Sequence, residues 1–254
     1  VKESSLEKIA HALGFKKPQA ALLLPLSFLV GGVVLAMILP KLDRLVPGGA
    51  PIVQVLLEII WFCLMYFGFF KQIKRYREKY GEKAYQQLAL RFFLPAGILM
   101  VAGIVRALWI IGTPIPWFPF SLRVTLSLYF VFMGLILQVR GIQSLGIDRI
   151  VFLYNVFPEK GERVESTLYQ HLRHPLYSAM MHFCLGFALF SGTLEGLLCL
   201  LIFGLKLFIW SKVEEKELVD RFGESYANYR KNVPAFIPKF RSIPLLLQFL
   251  LGRR

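Results

Sequence analysis

An all-α, polytopic membrane bundle of about six transmembrane helices is the fold class the sequence predicts, and three observations predict it. Hydrophobic residues make up 56% of the 254, charged residues only 18%, and 23 are Phe, a composition foreign to most soluble domains. Six stretches approach the roughly 20 apolar residues a helix needs to cross the hydrocarbon core: residues 20–39, 51–70, 92–112, 122–139, 175–191 and 194–211. The basic residues fall between these stretches instead of forming one stripe. The net charge of +14 therefore reads as a topology signal, and nucleic acid is not among the expected partners.

Taken in order, the first 18 residues carry Lys2, Lys8, Lys16 and Lys17 but no apolar core or small-residue cleavage site, so the run that follows reads as an anchor and not a removable signal. Lys and Arg number four before the first span, seven in residues 71–91, five in residues 140–173 and nine from Lys212 onward. The alternate connections hold two (Lys41 and Arg44), none and none. Basic loops stay on the cytoplasmic side, which predicts an integral membrane protein with both termini cytoplasmic. Residues 71–91 read as a basic helix lying along the anionic leaflet; their Lys79-Tyr80-Gly81-Glu82 echoes Arg221-Phe222-Gly223-Glu224 near the other end.

Only Ser191-Gly192-Thr193 parts the last two spans, so they form an antiparallel hairpin. Residues 212–230 alternate acidic and basic side chains at helical spacing, with Phe222, Tyr226 and Tyr229 on one face, and predict an amphipathic helix docked on the bundle. Asn232-Val233-Pro234 ends it. Residues 245–251, followed by Arg253 and Arg254, are too short to span and suit the interface. The chain divides at 139/140: four spans and the basic helix before, a polar loop, hairpin and tail after. Cys63, Cys184 and Cys199 lie within apolar runs, which suggests neither a disulfide framework nor a metal site.

Four ionisable residues fall at membrane depth, where polar groups are expensive. Glu58 and Arg106 both lie toward the outer third of their helices and are expected to form a salt bridge between spans two and three. His182 and Lys206 are candidates for an acceptor pocket below the cytoplasmic surface, in catalytic roles, although Lys206 could equally snorkel toward headgroups.

The densest polar cluster runs from Leu168 to Tyr177, Leu-Tyr-Gln-His-Leu-Arg-His-Pro-Leu-Tyr, and opens the fifth span. Glu214, Glu215 and Glu217 close the sixth. A hairpin brings both clusters to one side of the membrane, where they can share one ligand. Arg173-His174-Pro175-x-Tyr177, Glu214-Glu215, Phe222-Gly223-Glu224-x-Tyr226-x-x-Tyr229, Val233-Pro234 and Ile237-Pro238, in that order, resemble the isoprenylcysteine carboxyl methyltransferase family and its phospholipid methyltransferase relatives. The resemblance covers roughly residues 140–238.

It implies S-adenosylmethionine as methyl donor and a lipophilic acceptor, a carboxylate, thiol or amine of a lipid or prenyl-type molecule, reached from the surrounding lipid. By motif position Tyr169, His174, Pro175, Leu176 and Tyr177 contact the cofactor and Glu214 closes over it, with Arg173 and Glu215 beside them. Gly161, Glu162, Arg163 and Val164 correspond to a further cofactor-contacting stretch. Two departures leave the acceptor open: Trp210 stands where a substrate-binding arginine is expected, and Ser166-Thr167-Leu168 replaces a glycine before the loop's first tyrosine. Two rival readings stay open as well. A membrane sterol reductase using NADPH would carry Gly-Glu where this chain has Ser178-Ala179, and a small transporter or lipid-binding protein would also place charges in the membrane.

Overall fold

The computed structural model describes residues 4–45, 48–160, 167–250 and 252, and among them the chain is almost wholly helical. Helix α1 (Ser5–Leu13) is set by local chemistry. Ser4 and Glu7 form a reciprocal capping box, and Gly14 closes the other end in the left-handed region. The lysines around it conceal an amphipathic pattern, because Ile9, Ala10 and Leu13 are buried.

Helices α2 (Leu23–Asp43), α3 (Gly49–Phe62), α4 (Ile73–Tyr80), α5 (Ala84–Leu88) and α6 (Leu94–Val105) follow. From Gly49 to Trp109 the chain is helical almost without interruption. It is a hairpin and not a rod: α3 packs on α6, and wide π-type turns at Cys63–Phe69 and Ala89–Phe93 bend the arms. Residues 71–91 are surface-exposed only in part. Ala84, Tyr85, Leu88 and Ala89 are fully buried, and the Tyr85 hydroxyl donates to the Val151 carbonyl at 3.0 Å. Alternating small and large apolar residues in the second half of this segment pull it into the core.

The chain continues through α7 (Phe120–Leu145), α8 (Ile147–Ile150), α9 (Leu153–Val156), α10 (Thr167–His171), α11 (Pro175–Ser191), α12 (Leu194–Phe222), α13 (Glu224–Asn232) and α14 (Ile243–Leu250). Among the described residues, four runs are long and apolar enough to cross a membrane: Pro18–Asp43, Gly49–Trp109, Phe120–Leu145 and Leu194–Phe222. The second run contributes two apolar arms, and α11 is a shorter apolar helix of 17 residues. All six expected apolar segments are therefore helical, in an all-α membrane bundle. The short C-terminal helix packs Leu246 and Leu250 with Leu137, Leu168 and Leu172.

Helix α11 packs most extensively along α7. Gly134 and Gly141 on one helix and Gly186 on the other bring the backbones close; a side chain at Gly186 would meet the Ser127 carbonyl at 3.0 Å. The repeated Tyr/Phe-Gly-Glu motif also acquires a physical reason. Gly81 (φ 54°, ψ −125°) and Gly223 (φ 61°, ψ −142°) both end a helix in a conformation that side-chain-bearing residues rarely adopt. The echo is thus a shared way of breaking a helix as it turns.

The expected Glu58–Arg106 salt bridge does not form. Arg106, fully buried, pairs with Asp43 at the end of α2 and donates to Gln54 Oε1 at 2.9 Å and to the Ala50 carbonyl at 3.1 Å. Gln54 in turn donates to Glu58 Oε1 at 2.5 Å, and Glu58 pairs with Lys206 at 3.0 Å. One amide thereby joins two ion pairs across four helices. Gln54 lies one turn before Glu58 and occupies the space in which Arg106 would have to reach it.

Asp148 forms a second buried junction. Ser5 donates to its Oδ1 at 2.9 Å and Tyr154 to its Oδ2 at 2.5 Å, while Lys8 bonds the same Tyr154 hydroxyl at 3.2 Å. Burial pushes the Asp148 carboxyl up, but the hydrogen bonds from Tyr154 and Ser5 and the nearby Arg149 outweigh it and leave it below the usual carboxylate range.

Two outcomes follow. Glu58→Gln strands the buried Lys206 charge and should lower stability by about 3–5 kcal/mol; adding Lys206→Met should recover most of it, read as thermal unfolding in detergent. Asp148→Asn should cost about 1–3 kcal/mol. Because the folded carboxyl titrates below its unfolded value, the Asp148 contribution is complete above about pH 4 and is lost as the pH falls through the folded value. The gap between wild type and Asp148→Asn in unfolding midpoint should therefore close on acidification.

Candidate functional site

Pro175 opens α11 at its first position, where a missing N–H costs nothing, so the residues just before it leave the helix free to take other partners. The partner is the segment after α13: the Arg173 and His174 amides donate to the Pro234 and Ala235 carbonyls, each at 3.0 Å, and Ser178 Oγ donates to the Phe236 carbonyl at 2.8 Å. Arg173 also reaches the Arg230 carbonyl at 2.7 Å, and the Tyr229 hydroxyl donates to the Tyr169 carbonyl at 2.6 Å. Val233-Pro234 thus straps the polar loop to the tail.

The loop and the end of α12 meet as expected. Tyr177 donates to Glu214 Oε1 at 2.6 Å, and Trp210 Nε1 donates to the same oxygen at 3.1 Å. The His174 ring lies parallel to that of Tyr177, centroids 5.3 Å apart, and Nδ1 stands 3.9 Å from Glu214 Oε2. Its Nε2 lies 3.0 Å from Glu215 Oε1, which also pairs with Arg173 at 3.1 Å. Glu214 and Glu215 therefore divide the work: Glu214 faces a cavity, whereas Glu215, 1% exposed, locks Arg173 and His174 in place.

That cavity has a volume of about 760 Å³, within the range of small-molecule sites. Tyr169, Arg173, His174, Pro175, Leu176, Tyr177 and Glu214 line its polar part. Six of these seven come from one stretch of ten residues, which is why the sequence exposed them. Trp61, Met65, Phe93, Met100, Met180 and Trp210 line the part that runs into the bundle, and Pro25, Phe28 and Leu29 extend it along α2. Trp210, in the position expected for an arginine, is fully buried with its ring edge-on to Trp61 at 4.9 Å.

The two candidate catalytic residues lie elsewhere. Lys206 is outside the cavity lining, paired with Glu58 and packed over the rings of Phe203 and Trp61 at 4.2 and 4.3 Å. His182 bonds the Ser178 carbonyl through Nδ1 at 2.7 Å and sits beside Phe130. Intramembrane charge alone could not distinguish a residue that faces a cavity from one that faces a partner. Gly161, Glu162, Arg163 and Val164 lie outside the described residues.

Sequence reasoning placed Glu217 with the Glu pair but missed the rest of the opposite wall. Arg149, Phe152, Tyr154, Asn155 and Arg221 line the cavity together with Glu217. Residues 147–157 carry no sustained period, and their path depends on Phe152, which takes a left-handed φ of 59° with its ring against Phe69, Phe70 and Phe93. Glu217 recurs three residues after Glu214, the helical spacing that places both on the cavity face. Burial pushes the phenols of Tyr169 and Tyr226 up, so both present hydroxyls and not phenolates to the cavity.

Residues 122–225 match the phospholipid methyltransferase family model. Methanethiol S-methyltransferase from Pseudomonas deceptionensis is 38% identical over 88 residues, 34% of this chain, and the match spans 32% of that protein's length, so this chain covers about a third of the curated relative. No solved structure matches. The Arg173-to-Tyr177 loop and the Glu214-Glu215 pair, on which the resemblance rests, lie within the segment that is similar to the phospholipid methyltransferase family, whereas the inner arm of the cavity, lined from α2, α3 and α6, lies outside it.

Proposed function

We propose that the protein is an integral membrane methyltransferase that takes its methyl group from S-adenosylmethionine and passes it to a lipophilic acceptor. The observation that carries this reading is the hydrogen bond of Tyr177 to Glu214 at the junction of a polar chamber and an apolar arm. The donor set suits the cofactor's chemistry. Carboxylates at Glu214 and Glu217 match an ammonium and ribose hydroxyls, Arg173 and His174 match a carboxylate, and the aromatic rings match adenine. When bound, S-adenosylmethionine supplies a methyl carbon activated by an adjacent sulfonium.

In this reading residues 140–254 form the transfer core, the helices of residues 1–139 form its membrane wall, and both termini are cytoplasmic. Tyr177 and Trp210 donate to one oxygen of Glu214 and so fix the carboxylate's orientation before any ligand arrives. Glu215 and the Pro234–Ala235 strap do the same for His174. Methyl transfer is an in-line displacement that depends on alignment, and this preformed frame provides it. The Trp, Met and Phe side chains of the inner arm exclude water from the acceptor's nucleophile. His182 and Lys206 do not face the cavity and contribute through the packing of its wall. The relative's name specifies a thiol acceptor, and a thiolate, whose charge is neutralised as the sulfonium gives up its methyl group, suits the dry apolar arm.

Equilibrium binding of S-adenosylmethionine and its demethylated product to detergent-purified protein tests the proposal. Glu214→Ala and His174→Ala should each weaken binding at least about tenfold, the loss of a charge-assisted hydrogen bond, without lowering the unfolding temperature to that of a collapsed bundle. Tyr177→Phe keeps the ring and should cost about fivefold. Wild-type protein that binds NADPH tightly and ignores the methyl donor would overturn the assignment.

A further inference from the structure

A second concavity, about 450 Å³, lies at the opposite end of the bundle. It is bounded by the end of α2, the residues that follow α6, the start of α7 and the end of α11. Met37, Arg44, Trp109, Ile111, Arg123 and Phe190 line it. Met37 and Ile111 are 61% and 65% exposed, an apolar surface open to the lipid. The two arginines set it apart from an ordinary lipid-facing groove. Arg123 is held in place from one side, its Nη2 donating to the Phe190 and Ser191 carbonyls, while its buried Nε has no partner. The Arg44 guanidinium makes no hydrogen bond or ion pair among the described residues, its backbone N–H alone bonding the Leu42 carbonyl, and no described carboxylate lines the groove. Asp43, the nearest acid in sequence, is already committed to Arg106.

Two uncompensated guanidinium groups at the end of membrane-crossing helices, set above an exposed apolar strip, complement one kind of molecule. We infer that this groove holds an anionic phospholipid, its phosphate against Arg44 and Arg123 and an acyl chain along Met37, Ile111 and Phe190. Guanidinium forks match phosphate geometry, and the apolar strip binds what free phosphate lacks. The site is independent of the methyl-transfer reading: it shares no lining residue with the larger cavity.

The test is native mass spectrometry of the full chain in neutral detergent, titrated with dioleoyl phosphatidylglycerol or with phosphatidylcholine of the same chains. One phosphatidylglycerol should be retained more tightly than the rest, and Arg44→Gln should weaken that binding about fivefold. A Lys74→Gln/Arg75→Gln variant, on exposed α4 at the other end, should leave it unchanged. The Arg44 side chain bonds nothing among the described residues, so its variant separates binding from stability. Three results would each overturn the inference: equal retention of the two lipids, loss only in the Lys74/Arg75 variant, or displacement of the lipid by an excess of inorganic phosphate.

Discussion

A charge inside a bilayer has no water to turn to, and the rest of this bundle depends on how that problem is solved. Arg106 and Lys206 are each matched by a carboxylate from another helix, and Gln54 links the two pairs through both ends of its amide. A carboxamide is suited to this role because it accepts from one neighbour while donating to the other. The chain Asp43–Arg106–Gln54–Glu58–Lys206 thereby fixes α2, α3, α6 and α12 against one another with directional contacts that apolar packing in lipid does not supply. Lys206, so held, presses on Trp61; Trp61 meets Trp210; and Trp210 donates to Glu214. The floor of the cavity is thus an extension of the charge network.

The mouth is assembled differently. There the backbone does most of the work, because the residues before Pro175 are excluded from the helix and must find partners elsewhere. The Pro234–Phe236 strap supplies them, and Glu215 supplies the charges that hold Arg173 and His174. A deep, ionic floor and a shallow, backbone-bonded rim meet at Glu214.

Much of this was legible in the chain. Six apolar segments and their basic connections foretold the helices, and a three-residue turn between the last two spans foretold that His174 and Glu214 would meet. The Arg106 partner was not legible. Asp43 reads as a loop residue after Pro40 and Lys41, and its reach to Arg106 follows from the crossing of α2 and α6, which hydropathy does not encode. Nor was the wall from Ile147 to Phe157 legible, because a left-handed phenylalanine is chosen by tertiary contacts against local preference. Helix α1 was hidden by lysines that flank, and do not interrupt, its buried face. Lys206 and His182 show the converse limit: their position along an apolar helix is legible in the sequence, but which way each faces is set by neighbours on other helices.

Helix α12 runs unbroken from Leu194 to Phe222, 29 residues, or about 44 Å at the rise of an α-helix. The lysine gripped by Glu58 and the glutamate gripped by Tyr177 are two rungs of that single strut, roughly 12 Å apart. Whatever leans the strut, such as a leaflet of different thickness or lateral pressure from neighbouring lipids, moves both rungs together. Floor and rim are in this way carried by one rigid element, whose tilt sets both at once.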